Sequence, residues 1–130
     1  MGVHFEVLTL FPERVRPYLA QSVLGKAAVK GLFTVTVTDI RDFATDKHHT
    51  TDDTPYGGGA GMVMKVEPIA AGIEDLQKQR SYDEVIYTSP DGVRLDQALC
   101  NQLSLRQNIL LLCGHYKGVD ERIREKYVTL

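Results

Sequence analysis

Asn108-Ile109-Leu110-Leu111-Leu112-Cys113-Gly114 is apolar at every position from Ile109 to Leu112, and a strand without a polar side belongs in a sheet covered on both faces. Such cover comes from helices that connect parallel strands, so the neighbouring segments should alternate between the two periodicities. Working backwards, Leu95, Ala98, Leu99 and Leu103 are spaced as a helix. Glu84-Val85-Ile86-Tyr87-Thr88 is a second short strand that stops at the turn-forming Ser89-Pro90-Asp91-Gly92. Val66, Ile69, Ala70, Ile73 and Leu76 lie on one helical face, with Lys78 and Arg80 placing positive charge at its carboxyl end. Going forwards, Asp120 to Lys126 reads as helix, and Tyr127 to Leu130 begins a further element.

The first forty residues repeat the pattern. Val3, Phe5, Val7, Leu8 and Leu10 form a strand that ends at Phe11-Pro12, and a proline suits the first turn of a following helix. Pro17 is expected to divide that helix, with Leu19, Val23, Leu24, Ala27 and Ala28 on one face until Gly31 ends it. Leu32 to Ile40 carries the β-branched residues of a strand. The fold class is therefore α/β, a mostly parallel sheet flanked by helices, in one domain spanning 1–130. From Arg41 to Gly61 periodicity disappears, and so long a stretch inside a compact domain marks a functional loop.

The 130 residues, 43% apolar and 25% charged, suit one soluble domain with a real core. Fifteen Lys and Arg against 17 Asp and Glu leave a net charge of −2, which argues against binding nucleic acid by bulk charge but leaves room for a local basic patch. Cys100 and Cys113 form no CxxC and read as reduced core residues of a cytoplasmic protein. No apolar run approaches a membrane span, and no signal segment opens the chain.

In an open parallel sheet, ligands bind beyond the carboxyl ends of the strands. Ser89-Pro90-Asp91-Gly92 and Gly114-His115-Tyr116-Lys117-Gly118 both follow strands there, and two adjacent turns of this kind would make a small-ligand pocket; the plainer reading of each is a surface loop. A third glycine-bearing stretch, Asp52-Asp53-Thr54-Pro55-Tyr56-Gly57-Gly58-Gly59-Ala60-Gly61-Met62, can bend tightly and expose main-chain N–H groups. None matches GxGxxG or a P-loop, which removes the usual support for nicotinamide or NTP chemistry. His48, His49, Asp52 and Asp53 carry metal-ligand chemistry, yet neighbours on an extended chain point apart and no fourth ligand closes a tetrahedron. Lys47-His48-His49 reads better as polar loop surface near a phosphate, or simply as solvated loop. Tyr56 could stack on a base or pin its own loop. Asp120-Glu121-Arg122 suits a helix start. No Ser-His-Asp or Cys-His set has supporting context.

Taken in order, Leu10-Phe11-Pro12-Glu13, Arg41-Asp42-Phe43, the Asp52 to Met62 stretch, Ser89-Pro90-x-Gly92 and Cys113-Gly114-x-Tyr116-x-Gly118-x-Asp120-Glu121-Arg122 resemble the bacterial tRNA (guanine-N1-)-methyltransferases, the TrmD family of the SPOUT class. Five separated motifs in order are specific where a lone glycine run is not. The resemblance implies an S-adenosylmethionine-dependent enzyme that methylates N1 of guanosine 37 in tRNA, acting as a cytoplasmic homodimer with a trefoil knot at the cofactor site. It also implies cofactor contacts from Tyr87, Thr88, Ser89, Pro90 and Gly92 in the first turn, and from Gly114, Tyr116 and Gly118 in the second. Asp52, Tyr56 and Gly58 would meet the tRNA. No metal-ligating residue is expected in this chain.

The family's next glycine-rich motif, which completes the knot, and the aspartate that takes the N1 proton would both follow Leu130, so the resemblance implies a chain truncated before the knot closes and without its general base. Lys117 stands where the family has Glu, and its charge would disfavour a magnesium ion there. Ala60 and Asp91 replace the family's Pro and Gln. Two other readings stay open: a cofactor- or nucleotide-binding module without catalysis, and a structural dimerisation domain.

Overall fold

The computed structural model describes residues 2–21, 25–27, 30–44, 52–53, 63–64, 66–89, 92–113 and 121–130. Four strands, β1 (Val3–Thr9), β2 (Phe33–Asp39), β5 (Glu84–Thr88) and β6 (Asn108–Cys113), pair entirely in parallel in the order β2-β1-β6-β5. Helices α1 (Pro12–Leu19), α2 (Val66–Gln79), α3 (Gln97–Leu103) and α4 (Glu121–Tyr127) surround the sheet, which is the α/β arrangement read from the sequence. β6, the apolar strand, lies between β1 and β5; Leu110 and Leu112 on one face are fully buried, while Leu111 on the other is half-buried, so the cover expected on both faces is complete on one.

Register divides the side chains into two faces. Leu8, Leu110, Leu112 and Val85 share one face, and with Ile69, Ile73 and Leu76 of α2, Ile123 of α4, and Leu10 and Ile40 they form the core. Nearer the amino ends of the same face the strands turn polar. His4 and Glu6 are buried there, Thr34 Oγ1 lies 2.6 Å from His4 Nδ1, and the Thr38 hydroxyl donates to Glu6 at 2.5 Å. Burial, first, and then the nearby Arg80 charge hold the His4 imidazole below its usual pKa, against the opposing pull of Glu6. The opposite face carries Val3, Phe5, Ile109, Leu111 and Ile86, with the Phe5 and Phe33 rings meeting edge to face at 6.2 Å.

Gly72 marks where α2 comes closest to the sheet. A Cβ on it would stand 3.2 Å from the Phe43 ring and 3.3 Å from Leu8. Gly31, at φ 74°, ends the second helical segment as expected: Leu32 N–H reaches back to the Ala27 carbonyl at 3.0 Å, the bond pattern of a left-handed helix terminus.

Several sequence expectations are corrected. The division expected at Pro17 falls two residues later: α1 runs on to Leu19, with Ala20 N–H bonded to the Pro17 carbonyl, and helix resumes over 25–27. A proline near a helix's end forfeits one bond and need not break it. Part of the loop from Arg41 is ordered: Ile40–Phe43 is a 3-10 turn with Asp39 accepting from Arg41 N–H, and Asp52–Asp53 (β3) pairs antiparallel with Val63–Met64 (β4). Leu95 precedes α3 and is exposed, because Asp96 caps that helix. Cys100 is exposed on α3 and is no core residue, while burial of the half-buried Cys113 raises its thiol pKa. Among the described residues no helix is long and apolar enough to cross a membrane.

Candidate functional site

The register of β5 and β6 builds the site. Thr88 pairs with Cys113, so the two strands end side by side at the carboxyl edge of the sheet. Strand neighbours are about 4.8 Å apart, close enough for one small ligand to touch both strand ends. In the first turn, Gly92 N–H donates to the Ser89 carbonyl at 3.4 Å. A Cβ on Gly92 would meet only that carbonyl, at 3.6 Å, so the fold itself leaves space at this backbone position.

A groove of about 830 Å³ begins at this turn and runs down the sheet face away from the core. Thr88, Ser89 and Gly92 stand at its carboxyl end; Phe5, Ile109 and Leu111 line its floor; Leu99, Cys100 and Leu103 come from α3. Tyr87 borders it too, but the Tyr87 ring packs against the buried core with the Arg124 guanidinium 5.5 Å from its centroid. The groove's body is hydrocarbon, suited to an apolar surface. Polar main-chain groups concentrate at the turn.

Of the residues expected to hold a cofactor, Tyr87, Thr88, Ser89 and Gly92 therefore gather at one groove end. Pro90, Gly114, Tyr116 and Gly118 lie outside the described residues, as do Tyr56 and Gly58. For Asp52 the backbone alone is described, in the β3–β4 ladder that brackets the glycine stretch. His48, His49 and Lys117 also fall outside. Among the described residues no three His, Cys, Asp or Glu come together as a metal-holding group.

Sequence reading passed over two features. Among the described residues Arg94 is the single charged side chain lining the groove, and nothing in its spacing distinguishes it from a surface arginine. Phe11 carries the Arg14 guanidinium at 4.5 Å and the Arg41 guanidinium at 5.5 Å from its ring centroid. An aromatic followed three residues later by arginine at a helix start was the available signal.

Comparison with known proteins agrees with this geometry. The model of the family described as tRNA (Guanine-1)-methyltransferase TrmD matches residues 3–130. A tRNA (guanine-N(1)-)-methyltransferase of Porphyromonas gingivalis is 49% identical over 127 residues, covering 98% of this chain and 56% of that protein. One from Flavobacterium psychrophilum is 46% identical over the same shares. The crystal structure of a tRNA (m1G37) methyltransferase from Aquifex aeolicus superposes with a TM-score of 0.88 at 36% identity, over 98% of this chain and 57% of that one. The chain thus spans a little over half the length of the relatives it matches. Adjacent parallel strand ends, the ordered motifs and the family match over nearly every residue lead to one assignment: this chain belongs to the TrmD family of tRNA (guanine-1)-methyltransferases.

Proposed function

We propose that this chain is the donor-binding domain of an enzyme that methylates N1 of guanosine 37 in tRNA, using S-adenosylmethionine. The observation that carries the proposal is the side-by-side ending of β5 and β6 at Thr88 and Cys113. When bound, S-adenosylmethionine supplies a methyl group already activated by a cationic sulfur, so the protein's work is placement and proton removal.

The residues present fit such a ligand. Main-chain groups of Thr88, Ser89 and Gly92 would bond its polar parts, and the open position at Gly92 lets it approach the backbone. Pro90, Gly114, Tyr116 and Gly118 would complete the pocket from the two turns, while Asp52, Tyr56 and Gly58 would meet the tRNA. The aspartate that accepts the N1 proton is proposed to lie in the part of the relatives beyond the matched region. Several aspartates here are committed elsewhere: Asp39 caps Arg41 N–H, Asp96 caps Leu99 N–H, and Asp83 accepts from Gln107 and Asn108 N–H. Those two backbone bonds hold the Asp83 carboxyl below its usual pKa, in its accepting form. A knotted cofactor site, a homodimer and a cytoplasmic location belong to the same proposal.

The test is methyl transfer by the intact protein to a tRNA transcript with guanosine at position 37, read as a reverse-transcription stop at that base. Transfer to N1 supports the proposal. Donor binding without transfer would instead indicate a binding module, and absence of donor binding would leave only the fold.

A further inference from the structure

We infer that the arginine–aromatic rim along the carboxyl edge of the sheet, with Phe11 and Arg14 at its centre, is a contact surface for the RNA strand flanking the target base. This rests on the tRNA reading above and extends it to named residues.

The rim begins where β1 ends. Phe11 follows Thr9, the last residue of β1, by two positions, and its N–H is held by Thr9 Oγ1 at 3.1 Å. The ring is half-buried against the core, fixing its orientation, and Arg14 lies over it at 4.5 Å. Arg41 also lies over it, at 5.5 Å, while its own guanidinium donates to the Leu10 carbonyl at 2.6 Å. On the same core-bearing face, across β6, Arg124 lies over Tyr87. Guanidinium groups thus cover two aromatic rings whose inner sides are buried.

These cations differ in what already neutralises them. Arg124 has Glu121 Oε2 at 3.7 Å and Arg41 has the Leu10 carbonyl. Arg14 is exposed, and no carboxylate among the described residues stands within ion-pair distance of it. A guanidinium held over a ring keeps N–H groups available for phosphate oxygens, and as a planar cation it can also stack on an unpaired base. Position suits this use. In the strand order β2-β1-β6-β5, β1 ends about 5 Å across from the end of β6 and about 10 Å from the end of β5. An RNA strand with one base delivered to those strand ends would bring neighbouring phosphates over Phe11. With a net charge of −2 this chain does not attract RNA in bulk, so within it local cations of this kind would do the positioning.

The experiment measures binding of a fluorescein-labelled tRNA anticodon stem-loop to the intact protein across a salt series, with donor binding measured in parallel. Arg14→Ala should weaken RNA binding by about five-fold and lower the slope of log affinity against log salt by about 0.7, the signature of one lost phosphate contact to a single strand. Arg14→Lys should restore the slope but only part of the affinity, since an ammonium does not stack. Arg16→Ala removes a cation from the same helix whose guanidinium donates to the Val37 carbonyl, and should change RNA binding less. Unchanged affinity and slope in Arg14→Ala, or an equal loss in Arg16→Ala, overturns the inference. If the unaltered protein binds the stem-loop but transfers no methyl group, the catalytic proposal fails while the Arg14 comparison still decides this one; if it binds no RNA, both fail.

Discussion

At the scale of single residues, Gly72 and His4 show how the same sheet face imposes opposite demands. Gly72 faces Phe43 and Leu8 at 3.2 to 3.3 Å, closer than most side chains tolerate. Gly72→Val should therefore force α2 off β1 and destabilise the fold by about 1–3 kcal/mol, measured as a lower urea midpoint at unchanged slope. An unchanged midpoint would mean that α2 can shift freely. His4 answers to proton binding instead. Its lowered pKa means that, below about pH 6.5, the unfolded chain takes up the proton more readily than the folded one. This contribution is absent above that pH, and stability declines as pH falls from there towards the native value. NMR titration should place the His4 midpoint below 6.5, and His4→Gln should flatten the stability curve between pH 7 and 5.5. A midpoint at or above 6.5 would show that Glu6 outweighs burial.

At the scale of elements, the contrast between β6 and α3 matters most. Half of the residues of β6 are buried and the rest half-covered, whereas no residue of α3 is fully buried and only Leu99 and Leu103 are half-covered. Amide exchange should accordingly be much faster through Gln97–Leu103 than through Ile109–Leu112. Removing the cap bond from Leu99 N–H, at 2.8 Å, with Asp96→Ala should cost the helix about 1 kcal/mol and speed its exchange further. Equal protection of both elements would contradict the burial. This contrast also explains what could be read beforehand. Strand β6 was legible because four consecutive apolar residues allow one environment, and Gly31 was legible because a left-handed terminus favours glycine. The exposure of Cys100 was not, since periodicity reports which residues share a helix face and not whether anything covers it. Pro17 marked the division of the helical stretch to within one turn, since a proline forfeits a bond to the preceding turn without having to be the last helical residue itself. The arginines over Phe11 stayed hidden because Arg41 comes from a segment 30 residues away, and only the parallel pairing of β1 with β2 brings it there.

At the scale of the whole molecule, the strand order turns separate motifs into one site. β5 and β6 are 24 residues apart at their starts, yet Thr88 and Cys113 end as neighbours because the parallel crossover returns the chain to the same edge. In the proposed donor site main-chain groups would do most of the recognition, so a change that fills space without disturbing packing should affect the ligand more than the fold. Gly92 is the position to use. It lies outside the helices and strands, its φ is not in the left-handed region, and a Cβ there meets only the Ser89 carbonyl at 3.6 Å. Gly92→Val should consequently preserve helix content by circular dichroism and shift the urea midpoint little, while weakening S-adenosylmethionine binding by about ten-fold, measured by calorimetry, as the added methyl groups occupy the ligand's approach to the backbone. Gly92→Ala should fall between the two. Loss of stability equal to that of Gly72→Val would mean that the turn is packed more tightly than its geometry allows, and undiminished donor binding by a folded Gly92→Val protein would remove this turn from the pocket.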